Sequence, residues 1–144
     1  MEIYNKAFHK LKHGIDMRCD YEIGGILGSV DGVVCDVFVD DRRLGNTHCT
    51  YIPDVFLLNT VLDNWMENER YQFAGLFHTH FREGMLSYQD RNYIHNIMEC
   101  MPLMIKELYF PIIVLPKFEI LVYKAIKSED SVYIRLDTLN VVDK

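Results

Sequence analysis

Residues 71–90, YQFAGLFHTHFREGMLSYQD, change from an apolar strand pattern to the start of a helix. The first seven residues are mostly apolar or aromatic, which is typical of a strand buried on both faces near its end. Residues 81–86 then form a short loop, and Ser87 is a favoured N-cap for a helix predicted over residues 87–101. This strand–loop–helix order predicts that the helix start lies back beside the end of the strand.

The rest of the chain also alternates between helix and strand patterns. A first helix is predicted by apolar residues at helical spacing: Ile3, Ala7, Leu11 and Ile15. Asp31-Gly32 is a hairpin signal between strands predicted over residues 22–27 and 33–39. The other predicted elements are a loop or edge strand over residues 42–53, a second helix from Asp54 with Val55 and Met66 on its apolar side, and strands over residues 112–115, 120–123 and 132–136. Without repeats or linkers, this alternation predicts one α/β domain over residues 1–144, with helices on the faces of one sheet.

Composition and charge narrow the class of protein. Hydrophobic residues make up 49% of the chain and the formal net charge is −6, with basic residues scattered in short groups. We therefore expect no nucleic-acid partner. The N-terminal residues lack the apolar core of a signal peptide, and no apolar run is long enough to span a bilayer. The four cysteines form no CxxC pair, so we expect a cytoplasmic protein with four buried, reduced thiols.

His78 and His80 form the strongest candidate site. Alternation along a strand places both imidazoles on one face, with Thr79 on the other. Asp90 lies in the first turn of the third predicted helix, which the loop turns back toward the histidines. Two histidines and a carboxylate give zinc three ligands and leave the fourth position for water, whose pKa zinc lowers to about 7. The competing interpretation is that the histidines coincide by chance and that Asp90 only favours the helix dipole.

Glu22 is the candidate general base. It begins an otherwise apolar, glycine-rich strand, and a charged group that enters a buried strand needs a partner or a task. The alternative is an exposed glutamate at the edge of a sheet. Both interpretations stay open from this residue alone.

Taken together, these residues resemble the JAMM (JAB/MPN) metallopeptidases, in a prokaryotic-type stand-alone form. The matching motifs are Glu22-x-x-Gly-x-Leu-Gly, His78-Thr-His80 and Ser87-x-x-Asp90, in the order of that family. The resemblance implies a cytidine-deaminase-like α/β sandwich, with a central mixed sheet flanked by about three helices. It also implies that His78, His80 and Asp90 bind one zinc ion per chain. Glu22 would then be the general base, and Ser87 would help to stabilise the tetrahedral intermediate.

Two positions depart from the family pattern. The loop between His80 and Ser87 is one residue shorter than usual, and Phe81 replaces the proline that commonly follows the second histidine. A residue lost inside the helix would rotate Asp90 by about 100° and destroy the site. A residue lost from the loop keeps the spacing between Ser87 and Asp90. We therefore expect an intact site with a reshaped substrate-facing loop.

The resemblance implies a zinc isopeptidase or peptidase that cleaves an amide bond at the C-terminal tail of a ubiquitin-like or sulfur-carrier-like protein. Two alternatives stay open. One is a catalytically inactive scaffold of the same fold that acts in protein assembly, although such members typically lose a ligand. The other is a zinc hydrolase of a small peptide or amide. The sequence does not determine the oligomeric state.

Overall fold

Eight strands form one mixed sheet in the computed structural model, which describes residues 1–144. The strands are β1 (Glu2–Tyr4), β2 (Gly24–Val30), β3 (Val33–Asp40), β4 (Gln72–Phe81), β5 (Glu107–Leu115), β6 (Glu119–Ser128), β7 (Ser131–Asp137) and β8 (Asn140–Val142). The helices are α1 (Asn5–Gly14), α2 (Val55–Asn64) and α3 (Tyr88–Cys100). The strand order is β7-β6-β5-β4-β2-β3-β1-β8. The prediction of a mixed α/β fold with about three helices is confirmed.

The strand β4 lies inside the sheet and connects its two halves. It pairs antiparallel with β2, where Gly24 is opposite His78, and parallel with β5, where His78 is opposite Ile112. The parallel pairing requires a crossover, and α3 lies within that connection. One strand therefore carries both histidines, with β2 beside it and α3 following it directly in the chain.

The helices cover both faces of this sheet. Helix α1 packs on one face, where Phe77 and Ile113 belong to its core cluster. Helix α3 packs on the other face through Met98, against Ile112 and Val114 of β5. Helix α2 covers Ile26 of β2 on this second face. Because side chains alternate along β4, His78 and His80 share the α3 face while Phe77 and Thr79 share the α1 face.

Several predicted elements have different bounds in the structure. Ile3 lies in β1 rather than in the first helix, because residues 2–4 pair with β3 and β8. Glu22 precedes β2 instead of beginning it, since strand pairing starts at Gly24. The hairpin at Asp31-Gly32 is confirmed, and both residues have the positive φ angles (52° and 82°) that its tight turn requires.

The burial of several side chains differs from what the sequence predicts. Val55 and Met66 were expected on the buried side of the second helix, but they are 63% and 59% exposed. That helix continues into a π-helical turn over Trp65–Glu69, which buries Trp65 and directs its neighbours outward.

The expectation of four buried thiols is wrong, because Cys49 and Cys100 are exposed and the other two cysteines are partly exposed. None of the helices combines the length and the apolar composition that crossing a bilayer requires.

Gly75 on β4 permits the close approach of β5, so its replacement by alanine is expected to be strongly destabilising. Its φ is +144°, and a Cβ at this position would lie 1.7 Å from the carbonyl oxygen of Tyr109. We expect Gly75→Ala to lower the free energy of unfolding by about 3 kcal/mol or more, measured by urea denaturation. Gly32→Ala is the matched control, because its φ is +82° but nothing lies within 4 Å of the added Cβ. It should cost only about 1–2 kcal/mol, and equal losses in the two variants would contradict the packing argument.

Candidate metal centre

The two histidines of β4 lie side by side on the α3 face. The distance between the Nε2 atoms of His78 and His80 is 3.0 Å. Their side chains are 17% and 13% exposed. The Nδ1 atom of His80 lies 3.3 Å from the carbonyl oxygen of Glu83, which can only accept a hydrogen bond. This contact places a hydrogen on Nδ1 and, in the neutral ring, leaves the Nε2 lone pair available to a metal ion.

Asp90 reaches both imidazoles from the start of α3. Its Oδ1 is 3.2 Å from Nε2 of His78, and its Oδ2 is 3.2 Å from Nε2 of His80. The same residue completes a capping box, in which the Ser87 hydroxyl accepts from the Asp90 N–H at 3.0 Å and Asp90 Oδ2 accepts from the Ser87 N–H at 2.9 Å. The helix cap therefore fixes the position from which the carboxylate faces the histidines. The shorter loop does not disturb the spacing between Ser87 and Asp90.

Glu22 approaches the histidines from the segment before β2. Its Oε1 lies 3.7 Å from Nε2 of His80, and the residue is only 5% exposed. One side-chain ligand atom from each of Glu22, His78 and His80 lies within 4.8 Å of the others. These three residues are close enough together to bind a metal ion. The alternative of an exposed edge glutamate is excluded by the burial of Glu22.

Two polar side chains that sequence reasoning did not single out as site residues hold the backbone around Glu22. The Nδ2 of Asn46 donates to the Glu22 carbonyl oxygen at 2.9 Å, and the Thr79 hydroxyl accepts from the Ile23 N–H at 2.8 Å. Asn46 is 2% exposed and Thr79 is fully buried. Asn46 lies in a segment rich in turn formers, and no sequence pattern there indicates that its side chain is buried. Thr79 was expected on the opposite face from the histidines, and it lies there.

The two carboxylates of the site have different electrostatic environments. Burial raises the pKa of Glu22, the neighbouring His80 lowers it and Asp90 raises it, and the net result is a pKa of about 7. Burial also raises the pKa of Asp90, but hydrogen bonds from His78 and His80 outweigh that effect and hold it well below its usual range. Burial lowers the pKa of His80, and its interactions with Asp90 and Glu22 more than compensate, so the net direction is upward. Asp90 is therefore the ionised carboxylate at neutral pH, while Glu22 is balanced between its two forms.

The charge balance and the donor atoms of this cluster suit a divalent cation. Within salt-bridge distance Asp90 has both histidines as partners and Glu22 has only His80, and no lysine or arginine neutralises either carboxylate. Imidazole nitrogens and a carboxylate oxygen are the donor set that zinc takes in catalytic sites. Either carboxylate could complete a three-ligand set with the histidines. Asp90 lies 3.2 Å from each ring, through a different oxygen for each, and Glu22 lies 3.7 Å from His80.

Comparisons with known proteins show the fold and nothing finer. No family model matches the chain, and no curated protein matches it. A similar solved structure is the solution structure of protein DSY2949 from Desulfitobacterium hafniense, a target of the Northeast Structural Genomics Consortium. The TM-score is 0.67 at 14% sequence identity, over 99% of this chain and 93% of that protein. The two chains share an overall fold along nearly their whole lengths.

Proposed function

We propose that this chain is a zinc-dependent peptidase or isopeptidase of the JAMM (JAB/MPN) type, with the corresponding cytidine-deaminase-like sandwich fold. The observation that carries the proposal is the convergence of four side chains from three parts of the chain: Glu22, His78, His80 and Asp90. Residues that are distant in sequence and have no lysine or arginine partner rarely meet in one half-buried cluster unless a cation or a reaction requires it. The order of the motifs along the chain supports the same assignment.

His78, His80 and Asp90 are the residues that would hold the zinc ion. Bound zinc lowers the pKa of a water molecule to about 7 and polarises a carbonyl oxygen. The contact between His80 Nδ1 and the Glu83 carbonyl orients one ring, and the capping box orients the Asp90 carboxylate. Such supporting contacts keep ligands in one geometry, so little reorganisation is needed when a metal ion binds.

Glu22 is suited to accept and return a proton. A general base works best when its pKa lies near the working pH, and burial places the pKa of Glu22 at about 7. Its Oε1 lies beside His80 but farther from it than either Asp90 oxygen lies from its own histidine. In this proposal Glu22 takes the proton of the attacking water and delivers it to the leaving amine. The pKa of Asp90 is well below its usual range, which suits a permanently charged ligand instead.

Ser87 would contribute a hydrogen bond to the transition state. Its side chain is exposed, and its oxygen accepts from the Asp90 N–H, so the hydroxyl hydrogen is available to a bound substrate. A donor directed at the developing negative charge on the scissile carbonyl stabilises the tetrahedral intermediate. The position of Ser87 at the N-terminus of α3 adds the favourable end of the helix dipole.

The proposed substrate is the extended C-terminal tail of a ubiquitin-like or sulfur-carrier-like protein, joined to an amine. Elemental analysis of protein purified without chelators is expected to give one zinc ion per chain. Zinc-loaded protein should then cleave at least one of a panel of ubiquitin-like C-terminal fusions, and chelator-treated protein should not. An inactive scaffold would lack stoichiometric zinc and turnover. Cleavage of dipeptides without cleavage of any fusion would identify a small-peptide hydrolase instead.

A further inference from the structure

The backbone of Glu22 lies outside the sheet, so its position depends on contacts other than strand pairing. Strand β2 begins at Gly24, two residues later. The Glu22 N–H donates to the carbonyl oxygen of Thr47 at 2.8 Å. The Glu22 carbonyl oxygen accepts from Asn46 Nδ2 at 2.9 Å. Both backbone groups of the candidate base are therefore bound by consecutive residues of one loop.

Asn46 connects this loop to Glu22 through a buried amide. While its Nδ2 donates to Glu22, its Oδ1 accepts from the Ile52 N–H at 2.9 Å. A third contact, from Arg43 Nε to the Asn46 backbone carbonyl oxygen, measures 3.2 Å. Asn46 is 2% exposed, so its amide makes these bonds without competition from water. The Asn46 side chain therefore fixes the distance between the Glu22 backbone and the loop that contains Asn46 and Ile52.

Thr79, on strand β4, holds the backbone of Ile23, which is the residue after Glu22. Its hydroxyl accepts from the Ile23 N–H at 2.8 Å, and its own N–H donates to the Ile23 carbonyl oxygen at 2.7 Å. Thr79 lies between His78 and His80 on β4, and its side chain points away from theirs. This double contact ties the backbone beside Glu22 to the strand that carries both histidines. A shift of Ile23 would move the Glu22 carboxylate relative to the rings.

We propose that Asn46 and Thr79 are positioning residues for Glu22, which together hold its carboxylate at its observed distance from His80. This inference rests on the proposed function, because the exact position of the Glu22 carboxylate matters when Glu22 transfers a proton at the proposed metal centre. Neither residue touches the imidazoles with a polar atom, so each acts through Glu22. Small displacements of a catalytic group reduce turnover strongly, whereas substrate affinity depends on other contacts.

Matched variants of Thr79 provide the test. Thr79→Val keeps the shape of the side chain but removes the acceptor for the Ile23 N–H, and Thr79→Ser keeps the hydroxyl. With zinc-loaded protein and the best fusion substrate, Thr79→Val is expected to lower kcat at least tenfold, with KM and zinc content unchanged. Thr79→Ser should restore kcat to within about threefold of the wild type. Asn46→Ala, or Asn46→Ser if the first does not fold, should behave like Thr79→Val.

A control separates positioning from general destabilisation. Ile3→Val removes one methyl group from a fully buried residue of β1, which lies three strands away from β4 in the sheet. It should lower the melting temperature and leave kcat unchanged. An unchanged kcat in Thr79→Val, a Thr79→Ser variant as impaired as Thr79→Val, or loss of zinc from either would overturn the proposal.

Crystal structures of the Thr79 variants give a second measurement that does not depend on turnover. The distance between Glu22 Oε1 and His80 Nε2, 3.7 Å in the wild type, should be kept in Thr79→Ser and should increase in Thr79→Val. An unchanged distance in Thr79→Val would reject the positioning role even in an active enzyme. A displaced Glu22 in a protein that neither binds zinc nor cleaves any substrate would support positioning and reject the proposed function.

Discussion

In the proposed zinc peptidase, replacement of Glu22 by glutamine is expected to lower kcat by about 10²–10⁴-fold while zinc stays bound. The glutamine side chain has nearly the same size, but its amide cannot accept the proton of the attacking water. The three predicted ligands, His78, His80 and Asp90, remain in place, and Asp90 keeps its contacts with both rings. The measurements are zinc per chain by elemental analysis and kcat on a fusion substrate.

The control for this prediction is the same substitution at an exposed glutamate. Glu2 is exposed on β1, which lies three strands away from β4 in the sheet, so Glu2→Gln should keep both zinc and activity. Wild-type turnover in Glu22→Gln would remove Glu22 as the base. Loss of zinc from this variant would instead identify Glu22 as a ligand, in the set that it forms with His78 and His80.

The second large effect is expected from His78→Ala, which should lose both zinc and activity. The substitution removes one of the two imidazole donors and leaves Asp90 with a single histidine partner. We expect zinc affinity to fall by more than about 100-fold, since removal of a supporting contact alone costs 10–100-fold. Competition with a chromogenic chelator measures the affinity. His13→Ala is the control, because His13 lies exposed on α1.

Asp90→Ala tests the same site from the helix side. It should also lose zinc, but it removes the capping-box bond in which Asp90 Oδ2 accepts from the Ser87 N–H and so destabilises the protein by about 0.5–1.5 kcal/mol as well. Asp54→Ala removes the N-cap contact to the Leu57 N–H in α2 and controls for that second effect. If Asp90→Ala kept stoichiometric zinc, the assignment of Asp90 as a ligand would be wrong.

The sequence predicted the elements that local patterns specify. Alternation along β4 placed His78 and His80 on one face, and the Ser87 cap placed Asp90 where its carboxylate could reach them. Asp31-Gly32 specified its hairpin because few residues other than glycine, asparagine or aspartate adopt the required φ angles readily. In each of these cases the information lies within a few consecutive residues. The assignments of ligand and base remain predictions for the variants above.

Features that depend on distant partners were not predictable in this way. Ile3 fits a helical stripe, yet residues 2–4 form β1 because β3 and β8 lie beside them. Strand β8 has three residues and no strong pattern of its own. The burial of Asn46 follows from hydrogen bonds to residues 6 and 24 positions away. Propensity and periodicity carry no signal for such contacts.

The central place of β4 also bears on how the chain acquires its structure. Its neighbours are β2, which precedes it by some forty residues, and β5, which it reaches only through the α3 crossover. Chains dominated by such non-local pairings fold in milliseconds to seconds rather than microseconds, because loop-closure entropy is lost before the contacts form. The four clustered side chains meet only when both pairings and the helix start are complete. We therefore expect native-like metal affinity to appear late during refolding, together with full protection of the β4 amides from hydrogen exchange.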